Sequence, residues 1–264
     1  MLIDVSDVST IPVEIGNKII ESFSALPKTV VNKIKSYEIQ NSNDIMCAIE
    51  DYYRPSRAIC FYDGLEDILE KHKLVCYHVT KVSSKSRLLR DGLKTNEWEF
   101  YCSNLKNFYM NVGFSEDKIQ KAVDVVEDEY KRKYSSTNNI KAQLCFLANL
   151  AELKRKWSLY AAFCENIGGE LARWALKDGY PELYKPLKEN GQSCVVKFSL
   201  PYCKIEKCEK ESVAYKFVIY YAGVFFWNKE YDIKFDSTTQ FDVLPEDILE
   251  IIDYEKELFS KDPE

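Results

Sequence analysis

Apolar and polar residues follow different spacings along the 264-residue chain, and each spacing predicts a different kind of structure. From residue 1 to about residue 70, short apolar runs at helical spacing alternate with Pro and Asn, which is typical of a helical or mixed segment. The predicted elements there are helices over 10–23, 29–39 and 43–53 and a strand over 57–62. We therefore expect residues 1–70 to form an N-terminal extension.

A compact passage of alternating strands and helices follows. Residues 73–80 are apolar and β-branched enough for a buried strand, and residues 99–103 are predicted as a second strand. Between them, a short helix over 84–90 is expected to end at Gly92 in a left-handed conformation. Asn104 is placed to cap a further helix after the second strand. The apolar face of that helix is predicted to consist of Leu105, Phe108 and Tyr109.

The second half of the chain changes from helical spacing to an alternation of two. Residues 115–178 are expected to form a helical insertion, which includes a solvated helix over 127–133, a surface loop over 135–139, a long helix over 140–164 and, after the segment 167–170, a further helix to Leu176. Strands are predicted over 194–200, 214–226, 231–235 and 241–244, and Pro245 is expected to begin a short helix or a last strand. The pattern predicts an α+β domain over 71–264 with a mostly antiparallel sheet.

Composition narrows the class of protein. Hydrophobic residues make up 46% of the chain and charged residues 30%, which is typical of a folded protein. The net charge of −6 excludes a chain-wide basic field for a nucleic acid backbone. The two tight basic clusters, at 131–133 and 154–156, are interpreted as solvated helix faces.

Cysteine usage and the N-terminus indicate a cellular compartment. The nine cysteines include no C-x-x-C pair, which argues against a zinc ribbon or a disulfide framework and favours a reducing environment. The N-terminus has no basic region followed by an apolar run, and no stretch reaches the roughly 18 apolar residues of a membrane span. We expect a cytoplasmic protein that does not contact membranes.

One of the two histidines, His78, lies inside the apolar strand predicted over 73–80. A single His on a strand is often a hydrogen-bonded core residue, and that alternative stays open. However, residues 77–80 spell Tyr-His-Val-Thr, and Asp91-Gly92-Leu93 follows. In this order of motifs the chain resembles the ADP-ribosyltransferase superfamily, in which a Tyr-His-x-Thr type strand precedes a helix that ends in Gly-Leu. The resemblance implies a split-sheet fold with NAD as substrate.

The resemblance also assigns roles to individual residues. It implies that His78 hydrogen-bonds the ribose hydroxyls of NAD, with Tyr77 and Thr80 beside it in the cofactor-binding strand. It further implies that Tyr101 and Ser103 belong to the floor on which nicotinamide stacks, with Tyr109 behind them. Nicotinamide bonded to ribose is flat and cationic, so a Tyr face can bind it by stacking and cation–π attraction. The alternative is that Tyr101 and Tyr109 are core aromatics.

The third family element is a glutamate on a late strand, where it stabilises the oxocarbenium-like centre formed as nicotinamide leaves. Gln240 occupies that place here, and an amide keeps the hydrogen-bonding shape but lacks the charge. Glu170 is the best alternative carboxylate, because Gly168 and Gly169 before it allow a close backbone approach to a ligand. A plain helix break is the better explanation of those two glycines by themselves. Asp236 and Asp242 are weaker candidates.

The expected function is an NAD-dependent mono-ADP-ribosyltransferase that modifies a protein or nucleic acid. Family members of this kind act as toxins or phage-defence effectors, and a neutralising antitoxin or chaperone is an expected partner. No P-loop, dinucleotide fingerprint or metal motif occurs in the sequence, so NAD is the one cofactor expected and no metal site is predicted. Two alternatives remain: an NAD-dependent RNA 2′-phosphotransferase that uses Arg87, Arg90 and Arg173, or a catalytically silent binding module, which Gln240 favours.

Overall fold

The computed structural model describes residues 1–24, 26–36, 64–134, 142–155, 160–206, 213–214, 216–218, 220–221, 223–224 and 235–254. Four of the predicted elements fall wholly or almost wholly outside the described residues. They are the helix over 43–53, the strand over 57–62, the loop over 135–139 and all but the last residue of the strand over 231–235.

The described residues form an α+β protein with a largely antiparallel six-stranded sheet, as predicted. The strands are β1 (Leu2–Ile3), β2 (Lys73–Val82), β3 (Leu144–Leu147), β4 (Gln192–Pro201), β5 (Asp236–Thr239) and β6 (Ile248–Asp253). They follow the order β5-β3-β2-β4-β6, with β1 paired to β2. β4 and β6 are antiparallel, with Val195 opposite Ile252, whereas β1 and β2 are parallel, with Ile3 opposite Leu74.

The helices are α1 (Val13–Ser24), α2 (Lys28–Ser36), α3 (Lys85–Asp91), α4 (Trp98–Asn111), α5 (Glu116–Lys133), α6 (Leu150–Arg155), α7 (Gly169–Leu176) and α8 (Pro181–Glu189). Short 3-10 turns span Val8–Thr10, Ala161–Cys164, Tyr202–Lys204 and Pro245–Asp247. α3 ends before Gly92, as predicted, and Gly92 has a positive φ of 76° but a ψ of −175°, outside the left-handed helical conformation. Ser84, the residue predicted to begin the helix, is its N-cap, and its hydroxyl accepts a hydrogen bond from the Arg87 amide. A positive φ of this kind favours glycine, because other residues meet steric resistance there.

The predicted strand over 99–103 is wrong. These residues belong to α4, and Asn104 lies inside that helix instead of capping it. The physical reason is the helical spacing of Leu105, Phe108 and Tyr109, which are buried against α5 and override the strand preference of the aromatic residues before them.

The long helix predicted over 140–164 and the strand predicted over 214–226 are also wrong. β3, α6 and a 3-10 turn occupy the first region, because a short apolar run in a central strand has the same pattern as a buried helix. In the second, the described residues are helical, and the buried Ala214, Val218 and Tyr221 recur at helical spacing. The predicted strand over 241–244 is reduced to one bridge between Leu93 and Val243, and the true last strand is β6.

By its contacts the chain divides into two compact units, each described here by itself. The first consists of Met1–Cys76, Leu147–Leu153 and Ser199–Thr238. In it, a Cβ placed on Gly16 of α1 would collide with the hydroxyl of Tyr221. The second unit consists of Tyr77–Phe146, Lys154–Phe198 and Thr239–Glu264, and α4, α5, α7 and α8 share one apolar core in it. The division predicted at residue 70 stays a prediction.

Candidate functional site

His78 lies half-buried in β2, in the second unit. Its Nδ1 is 2.8 Å from the carbonyl oxygen of Cys145 on β3. Because a carbonyl oxygen can only accept a hydrogen bond, the proton of the neutral ring is on Nδ1 and Nε2 is an acceptor. Burial lowers the pKa of His78 below its ordinary 6.5, and the bond to Cys145 offsets only part of that effect. Within the described part of the chain, Nε2 has no hydrogen-bond partner.

The residues around His78 divide between the two faces of β2. Side chains alternate along a strand, so Thr80 lies on the same face as His78 and Tyr77 on the opposite one. Tyr77 is fully buried, and the Nζ of Lys197 lies 5.9 Å from its ring centroid. Thr80 is half-buried. The structure therefore brings Thr80, and not Tyr77, to the face on which His78 can meet a ligand.

The aromatic residues predicted as the nicotinamide floor are engaged in the helical core. The Tyr101 hydroxyl donates a hydrogen bond to the Gly168 carbonyl oxygen at 2.8 Å, and its ring stacks on Trp98 with centroids 6.2 Å apart. Tyr109 is fully buried and donates to the Leu183 carbonyl oxygen at 2.7 Å. Burial raises the pKa of both phenols. These contacts agree with the core alternative for both tyrosines, and Ser103 is exposed on α4.

Glu170 stands in the first turn of α7, directly after two glycines with positive φ. A Cβ on Gly168 would lie 2.7 Å from the Tyr101 hydroxyl oxygen and 2.9 Å from the Ala172 Cβ, so packing as well as φ requires glycine there. α7 begins at this point, which agrees with the interpretation of the two glycines as a plain helix break. The Glu170 carboxylate binds the Nζ of Lys133 at 2.9 Å.

Lys133, the partner of Glu170, also lies close to two aromatic rings. Its Nζ lies 5.1 Å from the Trp174 ring centroid and 5.6 Å from that of Tyr134. Burial lowers the pKa of Lys133, but the hydrogen bond to Glu170 and the charges of Tyr134, Glu170 and Cys145 outweigh it and raise the pKa overall. Sequence reasoning missed Lys133 as a site residue because its partner lies 37 positions away, beyond any local motif.

Gln240 follows β5 directly and is half-buried. In the sheet order β3 lies between β5 and β2, the strand of His78. The segment after Gln240 is held by Asp242, whose Oδ1 accepts from the Thr95 amide at 2.9 Å and whose Oδ2 is 3.1 Å from the Lys94 Nζ. Burial raises the pKa of Asp242, but these bonds outweigh it and lower the pKa overall. Asp242 therefore has a structural role.

The arginines needed for a phosphotransferase are partly committed elsewhere. Arg87 and Arg90 both bind Asp91, and Arg87 also donates to Asn104. In the basic cluster at 131–133, Lys131 and Arg132 are exposed and pair within α5, as expected of a solvated helix face, whereas Lys133 is 24% exposed and pairs with Glu170 on α7. Asp236, the other weak carboxylate candidate, lies 3.5 Å from the Lys216 Nζ in the first unit.

Within the described ranges, no group of His, Cys, Asp and Glu side chains could hold a metal ion, and no helix is long and apolar enough to cross a membrane. Comparison with known proteins identified no relative of this chain. No protein-family model matches the chain, and neither a curated protein nor a solved structure is significantly similar to it.

Proposed function

We propose that this protein is an NAD-dependent mono-ADP-ribosyltransferase. The observation that carries the proposal is His78, whose Nδ1 is bound to the Cys145 carbonyl oxygen while Nε2 has no described partner. A neutral imidazole held in this way presents an acceptor to a ribose hydroxyl. Thr80 on the same face adds a hydroxyl that can bind the same sugar.

In the proposed reaction, the bond between the nicotinamide nitrogen and the ribose C1 of NAD breaks. The bonding electron pair leaves with nicotinamide, which becomes neutral, and positive charge develops on the ribose. A nucleophile of the acceptor forms a new bond to C1 and releases its proton to solvent. The protein contributes ribose positioning by His78 and electrostatic stabilisation of the developing cation.

Two residues are candidates for that stabilisation. Gln240 follows β5 and can hydrogen-bond a ribose hydroxyl but carries no charge. Glu170 has the charge, and its carboxylate is bound to Lys133. A carboxylate facing a developing cation lowers the barrier more than an amide can.

The acceptor is proposed to be a macromolecule inside the cell that makes the protein, in the manner of a toxin or a phage-defence effector. The helices between α5 and α8 offer the surface for its recognition. The basic residues at 131–133 are paired with carboxylates, which favours a protein acceptor over a nucleic acid backbone.

The test is to incubate the purified protein with NAD labelled in its adenylate phosphate and with cell extract. Label is expected in precipitated material, sensitive to protease if the acceptor is protein and to nuclease if it is nucleic acid. His78→Ala is the matched control and should leave no label. NAD-dependent loss of the phosphate from a 2′-phosphorylated RNA, with its transfer to the ribose of NAD, would instead support the phosphotransferase. Measurable NAD binding without turnover would support a silent binding module, which the Lys133–Glu170 pair and the uncharged Gln240 favour.

A further inference from the structure

The ammonium group of Lys133 is surrounded by two aromatic rings and a carboxylate. Glu170 Oε2 lies 2.9 Å away, and the ring centroids of Trp174 and Tyr134 lie at 5.1 and 5.6 Å. We call Tyr134, Glu170 and Trp174 the cation cage. All three belong to the second unit, with Lys133 at the end of α5 and Glu170 and Trp174 on α7.

The cation cage has the chemistry of a site for an organic cation. Aromatic faces attract positive charge through their quadrupole, and a carboxylate adds direct attraction. The chain's own ammonium shows that a cation is stable there, since its pKa is raised although burial opposes the charge. Trp174 is also 50% exposed, on a helix whose other face is buried, so a ligand can reach the ring from solvent.

We propose that the cation cage binds the cationic N-alkylpyridinium end of NAD and that Lys133 occupies it in the free protein. This inference rests on the proposed function and names the substrate group that the site takes. Trp174 then supplies the stacking face that Tyr101, with its ring on Trp98 and its hydroxyl on Gly168, does not. The displaced Lys133 can pair with one phosphate of the same molecule, so neither Lys133 nor Glu170 is left without a charge partner.

The test measures binding of 1-methylnicotinamide, an N-alkylpyridinium without ribose or phosphate, by isothermal titration calorimetry. Lys133→Gln removes the competing ammonium and should tighten binding by about 3–10-fold. Lys131→Gln is the matched control: it removes the same charge two residues away, where Lys131 is paired with Glu127 and 65% exposed. It should leave the affinity unchanged. Neutral nicotinamide should bind more weakly than the cation in every variant.

Two further variants locate the site. Adding Trp174→Leu or Glu170→Gln to Lys133→Gln should abolish the gain, because each removes one wall of the cation cage. Equal affinity in the wild type and in Lys133→Gln, or a gain that survives Trp174→Leu, would overturn the proposal. If Lys133→Gln does not fold, Lys133→Met keeps the aliphatic stem and serves in its place, with folding checked by circular dichroism.

The outcome is separable from that of the proposed function. If 1-methylnicotinamide binds as expected but labelled NAD is not turned over, the cation cage stands and the transferase proposal falls. If NAD is turned over but Trp174→Leu retains full affinity for 1-methylnicotinamide, the transferase proposal stands and the cation cage falls.

Discussion

The Nδ1 of His78 and the carbonyl oxygen of Cys145 are joined by a hydrogen bond of 2.8 Å between a side chain of β2 and the backbone of β3. This bond fixes the ring orientation and the tautomer at once, because the carbonyl oxygen cannot donate. A ligand on this face of β2 therefore meets an imidazole whose direction is set by the sheet.

His78→Ala should abolish turnover of labelled NAD and leave the far-ultraviolet circular dichroism spectrum unchanged. Activity of the wild type should also fall on the acid side of neutral pH. The pKa of His78 is lowered from 6.5, so the neutral ring persists at pH 7 and activity falls only as the pH drops well below 6.5. The free energy of unfolding should fall as the pH drops from 6.5 to the lower pKa of the folded state, because in that interval the unfolded chain binds the proton more readily. Full activity of His78→Ala would remove His78 from the site.

Tyr101→Phe should lower the free energy of unfolding by about 0.5–1.5 kcal/mol, because the Gly168 carbonyl oxygen loses its donor. Tyr101→Ala should cost about 2–4 kcal/mol, because a packed ring is removed. Both variants should bind NAD with unchanged affinity wherever they are folded. Urea denaturation and calorimetry supply the two measurements. If Tyr101→Phe has normal stability but weaker NAD binding, Tyr101 contacts the ligand.

The carboxylate role can be assigned by three substitutions. If Gln240 binds the ribose, Gln240→Ala should cost about 1–3 kcal/mol of transition-state stabilisation in kcat/KM, and Gln240→Glu should retain or raise activity. Glu170→Gln should then leave kcat nearly unchanged, and its effect through the cation cage should be confined to KM. If Glu170→Gln is inactive and Gln240→Ala is active, Glu170 is the residue that stabilises the developing cation. The cation cage is consistent with that result.

Asp242→Asn should lower the free energy of unfolding by about 1 kcal/mol, since the pair with Lys94 is partly screened by solvent and the bond from the Thr95 amide is weakened. The pKa of Asp242 is lowered from 3.8 by these bonds against the effect of burial. Its contribution is therefore present above pH 3.8 and is lost as the pH falls through the lower folded value. The Tm of the wild type should exceed that of Asp242→Asn at pH 7, and the two Tm values should converge as the pH falls through the folded pKa of Asp242.

His72→Leu should leave the stability unchanged or raise it. His72 is buried in the first unit, and neither ring nitrogen has a hydrogen-bond partner in the described part of the chain. Its Nε2 lies 3.5 Å from Glu14 Oε1, close enough for charge attraction but not aligned as a hydrogen bond. Replacing an unsatisfied buried polar group with an apolar one removes a desolvation cost. A loss of more than about 1 kcal/mol in urea denaturation would mean that the Glu14 pair is the larger effect.

The sequence predicted the elements whose pattern is unambiguous. The apolar run of β2 and the short helix α3 that ends before Gly92 are local signals, and both are confirmed. Aromatic-rich segments misled the prediction, because Tyr and Phe favour strands in general but pack here at helical spacing in α4 and beyond residue 213. The contact of Lys133 with Glu170 could not be predicted, since it depends on how α5 and α7 meet.

Gly16 lies inside α1, where alanine would be favoured by about 1 kcal/mol on helix propensity alone. The Tyr221 hydroxyl occupies the space that an alanine methyl group would need. The two positions therefore form an epistatic pair. Gly16→Ala is tolerated only in a chain that has already lost the Tyr221 hydroxyl, and loss of that hydroxyl while Gly16 is retained leaves a void. Among descendants of this chain, we expect Gly16 and Tyr221 to be inherited or replaced together.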